Sequence, residues 1–323
     1  MLTRKFHWLV TGGAGFIGSH TVDELVRQGQ QVTVLDNLSD GKLENLASVS
    51  GQISFLNADI CDFSALLHAC KTVDYIIHLA ALTSVPGSIA APAETSKINV
   101  LGTANVLEAA KQCGVKRVIF ASSAAVYGTR PELPYKEDTP ENCQSPYAWS
   151  KQAGSDLCQL YTNVYGLETV VLRYFNVFGP RQNPNSAYAA VIAKFMQVAA
   201  QGQALVIEWD GLQSRDFVNV KDVVQANLLA ATKGASGEIY NVASGHTYTL
   251  LELADTVEKV SGRKLERISR PKRPGDVHNS SANISKITAL GYRPTLTLEE
   301  GLRILWAEQT KNNEKTTYNN LTI

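Results

Sequence analysis

The feature that most constrains this chain is a glycine-rich turn near its start, between an apolar strand-like run and an amphipathic helical pattern. Residues 9–11 (LVT) lead into 12–18 (GGAGFIG), and apolar side chains then recur at Val22, Leu25 and Val26. Glycines let backbone N–H groups approach a pyrophosphate at the positive end of the following helix. This order predicts a dinucleotide-binding turn. Its predicted cofactor residues are Gly12, Gly15, Phe16, Ile17 and Gly18.

Short β-branched runs alternate with helical patterns through the first half of the chain. The runs 75–77 (YII) and 118–120 (VIF) are apolar on both faces, as expected of parallel strands covered by helices on each side. We therefore predict an α/β fold, a Rossmann-like doubly wound parallel sheet with a smaller C-terminal substrate lobe.

A domain boundary is predicted near Phe178, where the turn-forming stretch 179–186 (GPRQNPNS) follows. The dinucleotide-binding domain would span 1–178 and include a return segment at 216–243. A discontinuous second lobe would span 179–323, with a polar tail that frays from about residue 310.

Charge and cysteine usage exclude several classes of partner. Thirty Lys and Arg balance thirty Asp and Glu, which leaves no overall field to hold nucleic acid or an anionic membrane. No apolar run approaches the roughly 18 residues of a membrane span, and no signal-like region is present, so we expect a cytoplasmic protein. The five cysteines form no CxxC pair, which favours free thiols and no metal site.

The second strand-like run ends at Asp36, where a carboxylate accepts hydrogen bonds from the adenosine ribose and repels a 2′-phosphate. NAD is therefore predicted rather than NADP, although Asp36 could also cap the turn of residues 36–41 (DNLSDG). The remaining predicted cofactor contacts are Asn37, Ser39, Asp59, Ile60, Leu79, Ala80, Ala81, Asn99, Tyr147, Lys151 and Tyr174.

A catalytic group is predicted after the fifth strand. Residues 122–123 (SS) end that strand, and Tyr147 and Lys151 lie four residues apart on one helix face. A tyrosine base near neutral pH needs its pKa lowered by about three units, on the order of 4 kcal/mol. One cation at about 4 Å supplies that much at an effective dielectric of about 20. Lys151, aided by a positive nicotinamide ring, is therefore predicted to activate Tyr147.

Seven segments together resemble the extended short-chain dehydrogenase/reductase family, and within it the UDP-hexose 4-epimerases. They are, in order, TGGAGFIG, DNLSDG, SSAAVYG, SPYAWSK, RYFNVFGPRQ, SRDFVNV and RPGDV. The resemblance covers the chain from about residue 6 to 309 and implies NAD, a UDP-sugar substrate and a homodimer of paired helices. It implies that Tyr147 is the base toward the sugar 4′-hydroxyl, that Lys151 contacts the nicotinamide ribose, and that Ser123 hydrogen-bonds the reacting oxygen.

The resemblance also implies a sugar-nucleotide site in the second lobe. Arg215 and Arg273 match two diphosphate-binding arginines, Asp276 suits the uridine ribose, and Trp209 stands where relatives usually have glycine. The full set of predicted substrate contacts is Ser84, Ser123, Asn176, Ala190, Val191, Arg215, Arg273, Asp276 and Ser280.

Sugar preference is predicted from Ser280, which matches a site where a bulky tyrosine excludes N-acetylated sugars in some relatives. A serine leaves room, so UDP-N-acetylglucosamine and UDP-N-acetylgalactosamine are the predicted substrates, with UDP-glucose and UDP-galactose as further candidates. Gly87 stands where the N-acetylhexosamine enzymes often have Arg, and Ala124 where some have Ser. Ala124 and Ala125 cannot transfer protons, which argues against dehydration and decarboxylation.

Two other functions stay open on the sequence alone. The chain could be another nucleotide-sugar oxidoreductase of the same fold, or a catalytically silent regulator that binds NAD or a UDP-sugar. The predicted helix 147–165 also carries Leu157, Leu160, Tyr161 and Val164, more apolar surface than one sheet face needs. We therefore expect it to pair with a second subunit.

Overall fold

The computed structural model describes residues 4–184, 191–272 and 277–320, with the backbone alone for 311–320. The strands are β1 (His7–Thr11), β2 (Gln31–Asp36), β3 (Ser54–Asn57), β4 (Tyr75–His78), β5 (Arg117–Ser123), β6 (Glu168–Tyr174), β7 (Asn176–Phe178), β8 (Leu205–Glu208), β9 (Ser214–Asn219), β10 (Ile239–Val242), β11 (Thr247–Thr249), β12 (Arg267–Arg270) and β13 (Asn279–Ser280).

Helices connect most of these strands. They are α1 (Phe16–Arg27), α2 (Phe63–Ala69), α3 (Val85–Ala90), α4 (Pro92–Ser96), α5 (Gly102–Cys113), α6 (Pro146–Tyr165), α7 (Val191–Ala200), α8 (Val220–Lys233), α9 (Leu250–Ser261), α10 (Ser285–Ala289) and α11 (Leu298–Asn320). Two 3₁₀ segments, Leu43–Gln52 and Ala124–Tyr127, and a π-helical turn, Lys97–Leu101, complete the description.

A seven-stranded sheet in the order β10-β6-β5-β4-β1-β2-β3 organises the larger part of the molecule. Every pairing in it is parallel. In β1, Trp8 and Val10 pack into one apolar cluster and Leu9 into another, because successive side chains of a strand point to opposite faces. Both faces are thereby buried under helices, which confirms the predicted doubly wound fold.

The strand order reverses between β1 and β4, so the connections leave the sheet in opposite directions at that point. Crevices outside the carboxyl ends of strands at such a reversal are the usual ligand sites of open α/β sheets. The glycine turn after β1 therefore opens at the position where a dinucleotide site is expected.

A second lobe lies beyond β6. Strands β7, β9, β11 and β13 form a small sheet, and β8 pairs in parallel with β12. Helices α7, α9 and α11 pack on these strands around a core that includes Phe195, Leu253 and Leu302. The backbone of α11 continues past residue 310, where the sequence becomes polar, to Asn320.

The predicted return segment is divided between the two sheets. Helix α8 packs against β5, β6 and α1, and β10 pairs in parallel with β6. Strand β9, in contrast, belongs to the small sheet, where it pairs with β7, β11 and β13. Among the helices described, none is long and apolar enough to cross a membrane.

Candidate active site

A cavity of about 420 Å³ lies at the carboxyl ends of the main strands, where the strand order reverses. Every cofactor residue predicted from the sequence lines it, with the exception of Asn99. Predicted catalytic residues Ser123, Tyr147 and Lys151 line the same cavity. The fold therefore brings the predicted cofactor residues and the predicted catalytic residues together in one cavity.

The glycine turn packs closely on its neighbours yet stays open toward the cavity. Gly12 has φ +68°, and a Cβ there would lie 2.7 Å from the Ala80 backbone nitrogen. A Cβ on Gly18 would lie 2.1 Å from the Gly12 oxygen. Gly15 is the N-cap of α1, and no side chain caps this helix. The first amides of α1 are thus left for an anion, which fits the pyrophosphate of NAD.

Asp36 caps the local turn, the second role that the sequence indicated for it. Its carboxylate accepts hydrogen bonds from the Ala14 N–H at 2.9 Å and the Leu38 N–H at 2.8 Å. These bonds tie the glycine turn to the end of β2 while Asp36 still lines the cavity. Its contact with a ribose stays a prediction, and the two roles are compatible because each carboxylate oxygen has a second lone pair.

Asp59 is joined to the same edge of the cavity. It accepts hydrogen bonds from the Cys61 N–H at 2.7 Å and from Asn37 Nδ2 at 2.8 Å. Burial opposes ionisation of Asp59, but these hydrogen bonds outweigh it and hold the pKa of the carboxyl below its usual value. Asn37 and Asp59 thus form a linked pair of polar side chains at the ends of β2 and β3.

Asn99, predicted as a cofactor contact, is not part of the cavity lining. Its side chain accepts from the Leu82 N–H at 2.8 Å and donates to the Leu82 carbonyl and to Ser150 Oγ, both at 2.9 Å. Asn99 lies in the π-helical turn and is buried. It therefore fastens the strand-end loop after β4 to α6, the helix that carries Tyr147 and Lys151.

The local sequence explains where α6 begins. Ser145 is its N-cap and accepts from the Ala148 N–H at 3.1 Å, and Pro146 occupies the first turn, where a missing N–H costs nothing. This start places Tyr147 in the first turn, with its backbone N–H donating to Ser88 Oγ at 3.1 Å. Ser123, at the end of β5, accepts from the Ala125 N–H at 3.1 Å.

In the protein alone, burial governs the pKa of Tyr147. Burial raises it, and a hydrogen bond with the Ser123 side chain offsets only part of that rise. The Lys151 ammonium donates to the Ala121 carbonyl at 2.8 Å, which holds it at the end of β5. The activation of Tyr147 by Lys151 together with the nicotinamide ring stays a prediction, since it includes the positive charge of the cofactor.

Lys151 is a buried residue of the cavity lining. Burial lowers the pKa of its ammonium to about 8, and Nζ lies 5.1 Å from the centroid of the Phe120 ring. The group still carries a positive charge at pH 7, because its pKa lies above that pH. A fixed cation in a cavity of low dielectric is what stabilises a nearby phenolate.

The predicted substrate residues are spread over both lobes. Ser84 caps α3 by accepting from the Gly87 N–H at 2.9 Å, Asn176 donates to the Asp216 carbonyl at 3.3 Å, and Val191 begins α7. Arg215 and Ser280 are register partners in neighbouring strands β9 and β13. The predictions for Ala190, Arg273 and Asp276 lie outside the described residues.

Several further residues line the cavity that the sequence did not single out. Leu82 and Thr83 continue the strand-end loop after β4, and Gln182 and Asn183 follow β7. Their position directly after strands is the signal that could have indicated them, since parallel strands end at one edge of the sheet.

Comparison with known proteins assigns the family. Residues 8–243 match the NAD dependent epimerase/dehydratase family. A protein of Methanocaldococcus jannaschii named putative UDP-glucose 4-epimerase is 40% identical over 313 residues, covering 95% of this chain and 99% of its own. The chain belongs to the NAD dependent epimerase/dehydratase family.

Solved structures of family members agree with this assignment. The UDP-N-acetylglucosamine 4-epimerase of Methanobrevibacter ruminantium, in complex with UDP-N-acetylmuramic acid, has a TM-score of 0.91 and 40% identity, covering 95% of this chain and 100% of that one. The UDP-glucose 4-epimerase of Thermus thermophilus, in complex with NAD, has a TM-score of 0.85 and 38% identity, covering 92% of this chain and 97% of that one. Other relatives are named as decarboxylases and dehydratases. NAD is thus the cofactor of this enzyme, and its contacts with the glycine turn, Asp36 and Lys151 of the cavity stay predictions.

Proposed function

We propose that the enzyme is a UDP-hexose 4-epimerase that interconverts UDP-N-acetylglucosamine and UDP-N-acetylgalactosamine, with UDP-glucose and UDP-galactose as a second substrate pair. The observation that carries this proposal is the meeting of Ser123, Tyr147 and Lys151 in the NAD cavity. Such a group can exchange a proton with a sugar hydroxyl at the carbon being oxidised.

The protein's own residues account for the proton steps. When bound, NAD supplies the acceptor and donor of hydride at the sugar C4′. Tyr147 would take the proton of the 4′-hydroxyl and later return it, while Ser123 hydrogen-bonds the same oxygen. The raised pKa of Tyr147 makes a nearby positive charge necessary, and the buried Lys151 ammonium is the cation that this chain places on the cavity wall.

The distribution of carboxylates favours epimerisation over the other reactions of the family. The acidic residues of the described cavity lining are Asp36, Asp40 and Asp59, which belong to the predicted adenosine side. Ala124 and Ala125 follow Ser123 in a 3₁₀ turn and have no proton to transfer. Dehydration and decarboxylation would need a second acid or base, besides Tyr147, beside the reacting sugar, and the described lining near Ser123 holds no carboxylate for that role.

Two residues of the second lobe support a nucleotide-diphosphate sugar as the substrate. Arg215 is half-buried on β9, and Ser280 lies beside it in register on β13. A guanidinium is well suited to a diphosphate, and the small Ser280 side chain leaves space next to it for a substituent on the sugar. This placement supports the preference for N-acetylated substrates.

An epimerase that retains its NAD converts its substrate without added cofactor, and a simple assay tests this. The purified protein is incubated separately with UDP-N-acetylglucosamine and with UDP-glucose without added NAD, and the anomeric protons are followed by NMR. Galacto products from either substrate support the proposal. If neither substrate changes even after NAD is added, the UDP-hexose assignment is wrong, and a net release of NADH would indicate another oxidoreductase.

Replacing Ser280 tests the sugar preference. In Ser280→Tyr the added ring fills the space beside Arg215, so turnover of UDP-N-acetylglucosamine should fall by about 100-fold, while turnover of UDP-glucose stays within about threefold. Ser280→Ala is the matched control, because it removes the hydroxyl without adding volume. An equal loss on both sugars in the tyrosine variant would contradict the role given to Ser280.

We further propose that two copies of the chain pair through α6. Of the four apolar residues that suggested pairing, Leu157 and Tyr161 pack against the core, whereas Leu160 and Val164 are exposed by 48% and 60%. Trp149, exposed by 52%, lies on the same face of the helix, 11 residues before Leu160. Exposed apolar side chains that share one helix face are typical of an interface, and a second copy of the same helix is complementary to them under two-fold symmetry. The cysteines described are all free, which supports the proposed cytoplasmic location.

A further inference from the structure

Trp209 has a backbone conformation that bulky side chains rarely adopt. Its φ is +61°, a left-handed region in which Cβ crowds the backbone and which glycine occupies without cost. It lies in the turn between β8 and β9 and is the residue noted in the sequence as a departure from the family pattern. Strain of this kind persists only where surrounding contacts hold it in place.

Two side chains hold the indole ring. The Lys272 ammonium lies 4.0 Å from the ring centroid, and the His278 ring packs edge-on against it with 4.7 Å between centroids. The backbone N–H of Trp209 also donates to the Arg270 carbonyl at 2.9 Å. Trp209 therefore contacts described residues on both sides of 273–276, the segment that carries the predicted diphosphate ligand Arg273.

His278 connects Trp209 to the other predicted diphosphate arginine. The His278 carbonyl accepts hydrogen bonds from Arg215 Nη1 and from the Ser214 N–H, both at 2.9 Å. Its ring Nε2 lies 3.1 Å from the carboxylate of Asp210, the residue after Trp209. The turn thus holds the His278 ring through Trp209 and Asp210, and the His278 carbonyl holds Arg215.

We propose that Trp209 is a positioning residue for the nucleoside-diphosphate part of the substrate. Its ring fixes Lys272 and His278, and through His278 it sets the position of the Arg215 guanidinium. The inference rests on the proposed function, since it requires a nucleotide diphosphate in the second lobe.

Trp209→Gly separates this role from a structural one. Glycine relieves the backbone strain while the ring contacts are lost, so these effects oppose each other and the thermal midpoint should stay within a few degrees. Affinity for UDP, measured by calorimetry, should fall about tenfold, equivalent to about 1.4 kcal/mol. KM for the UDP-hexose should rise by about the same factor and kcat should change less than about twofold.

Two further variants complete the test. Trp209→Phe keeps an aromatic ring for Lys272 and His278, so its UDP affinity should lie within about threefold of the parent. Trp306→Phe is the matched control, because Trp306 also meets a cation in this lobe, Arg263 at 5.6 Å, but Arg263 bonds to the helix-end carbonyls of Ala199 and Ala200. It should bind UDP as the parent does.

The outcomes distinguish this inference from the proposed function. Equal UDP affinity in the parent and Trp209→Gly overturns the inference and leaves the proposed function standing. A large loss of thermal stability, or a fall in kcat with KM unchanged, assigns Trp209 a structural role and also overturns it. A parent protein that binds no UDP overturns both.

Discussion

His78, at the end of β4, is a buried histidine that hydrogen-bonds on both sides of its ring. Its exposed fraction is 1%, with Nδ1 at 2.7 Å from Thr11 Oγ1 and Nε2 at 3.0 Å from Thr103 Oγ1. Burial, with a smaller contribution from the Lys151 charge, lowers its pKa to about 3. A neutral imidazole thus links the start of the glycine turn to α5.

The pKa of His78 predicts a specific loss of stability in acid. Above pH 6.5 the ring is neutral in both the folded and unfolded states and contributes no pH dependence. Between pH 6.5 and 3 only the unfolded state takes up the proton, so the free energy of unfolding falls as pH falls. At pH 4.5 this group alone would cost at most about 3 kcal/mol.

Urea unfolding at pH 7 and pH 4.5 measures this contribution. His78→Gln lowers stability at pH 7 because the bridge is disturbed, but it should lose less stability than the parent between the two pH values. His68→Gln is the control, since His68 lies near the surface on α2. The same pH dependence in the parent and His78→Gln would show that His78 does not titrate in this way.

One buried arginine bonds to the connection between β5 and α6. Arg173 on β6 has no exposed side-chain surface, pairs with Glu141, and donates to the Glu137 carbonyl at 3.1 Å. Its guanidinium carbon lies 4.8 Å from the centroid of the Tyr127 ring. Residues 124–145 join the strand ending in Ser123 to the helix beginning before Tyr147, so Arg173 helps to fix the segment between two predicted catalytic residues.

Glu141→Gln should therefore destabilise the protein through this element. It leaves the buried Arg173 charge without a charged partner, and we expect a loss on the order of 2 kcal/mol, less than for a fully buried pair because Glu141 is 35% exposed. The control is Glu168→Gln, which breaks the Arg117–Glu168 pair, in which the Glu168 side chain is 50% exposed, and should cost below about 1 kcal/mol. Similar shifts of the urea midpoint in both variants would rule out a special role for Arg173.

These elements also show what the sequence could and could not predict. The strands of the main sheet were predictable because each is a short apolar run, and the glycine turn was predictable because its residues are adjacent. The Arg173–Glu141 pair joins residues 32 positions apart, and no local pattern indicates it. Likewise, four-residue spacing placed Tyr147 and Lys151 on one face of α6 but could not show that Lys151 donates to Ala121.

At the scale of the whole molecule, the proposed dimer would connect assembly to the active site. Helix α6 carries Tyr147 and Lys151 near its start and the exposed Trp149, Leu160 and Val164 along one face. It is joined to α5 by the Tyr161 hydroxyl, which donates to Glu108 at 3.1 Å. Pairing of two copies across this helix would hold both catalytic helices in one rigid layer.

A charge on the exposed face of α6 tests the dimer. Leu160→Glu places a carboxylate at the centre of the proposed interface, where its desolvation is costly, so light scattering should give the mass of one chain for the variant and of two chains for the parent. Ile268→Glu is the matched control, because Ile268 is 43% exposed on β12 of the second lobe. It should leave the mass unchanged. A parent of single-chain mass, or a Leu160→Glu variant that keeps the mass of two chains, would exclude pairing through this face.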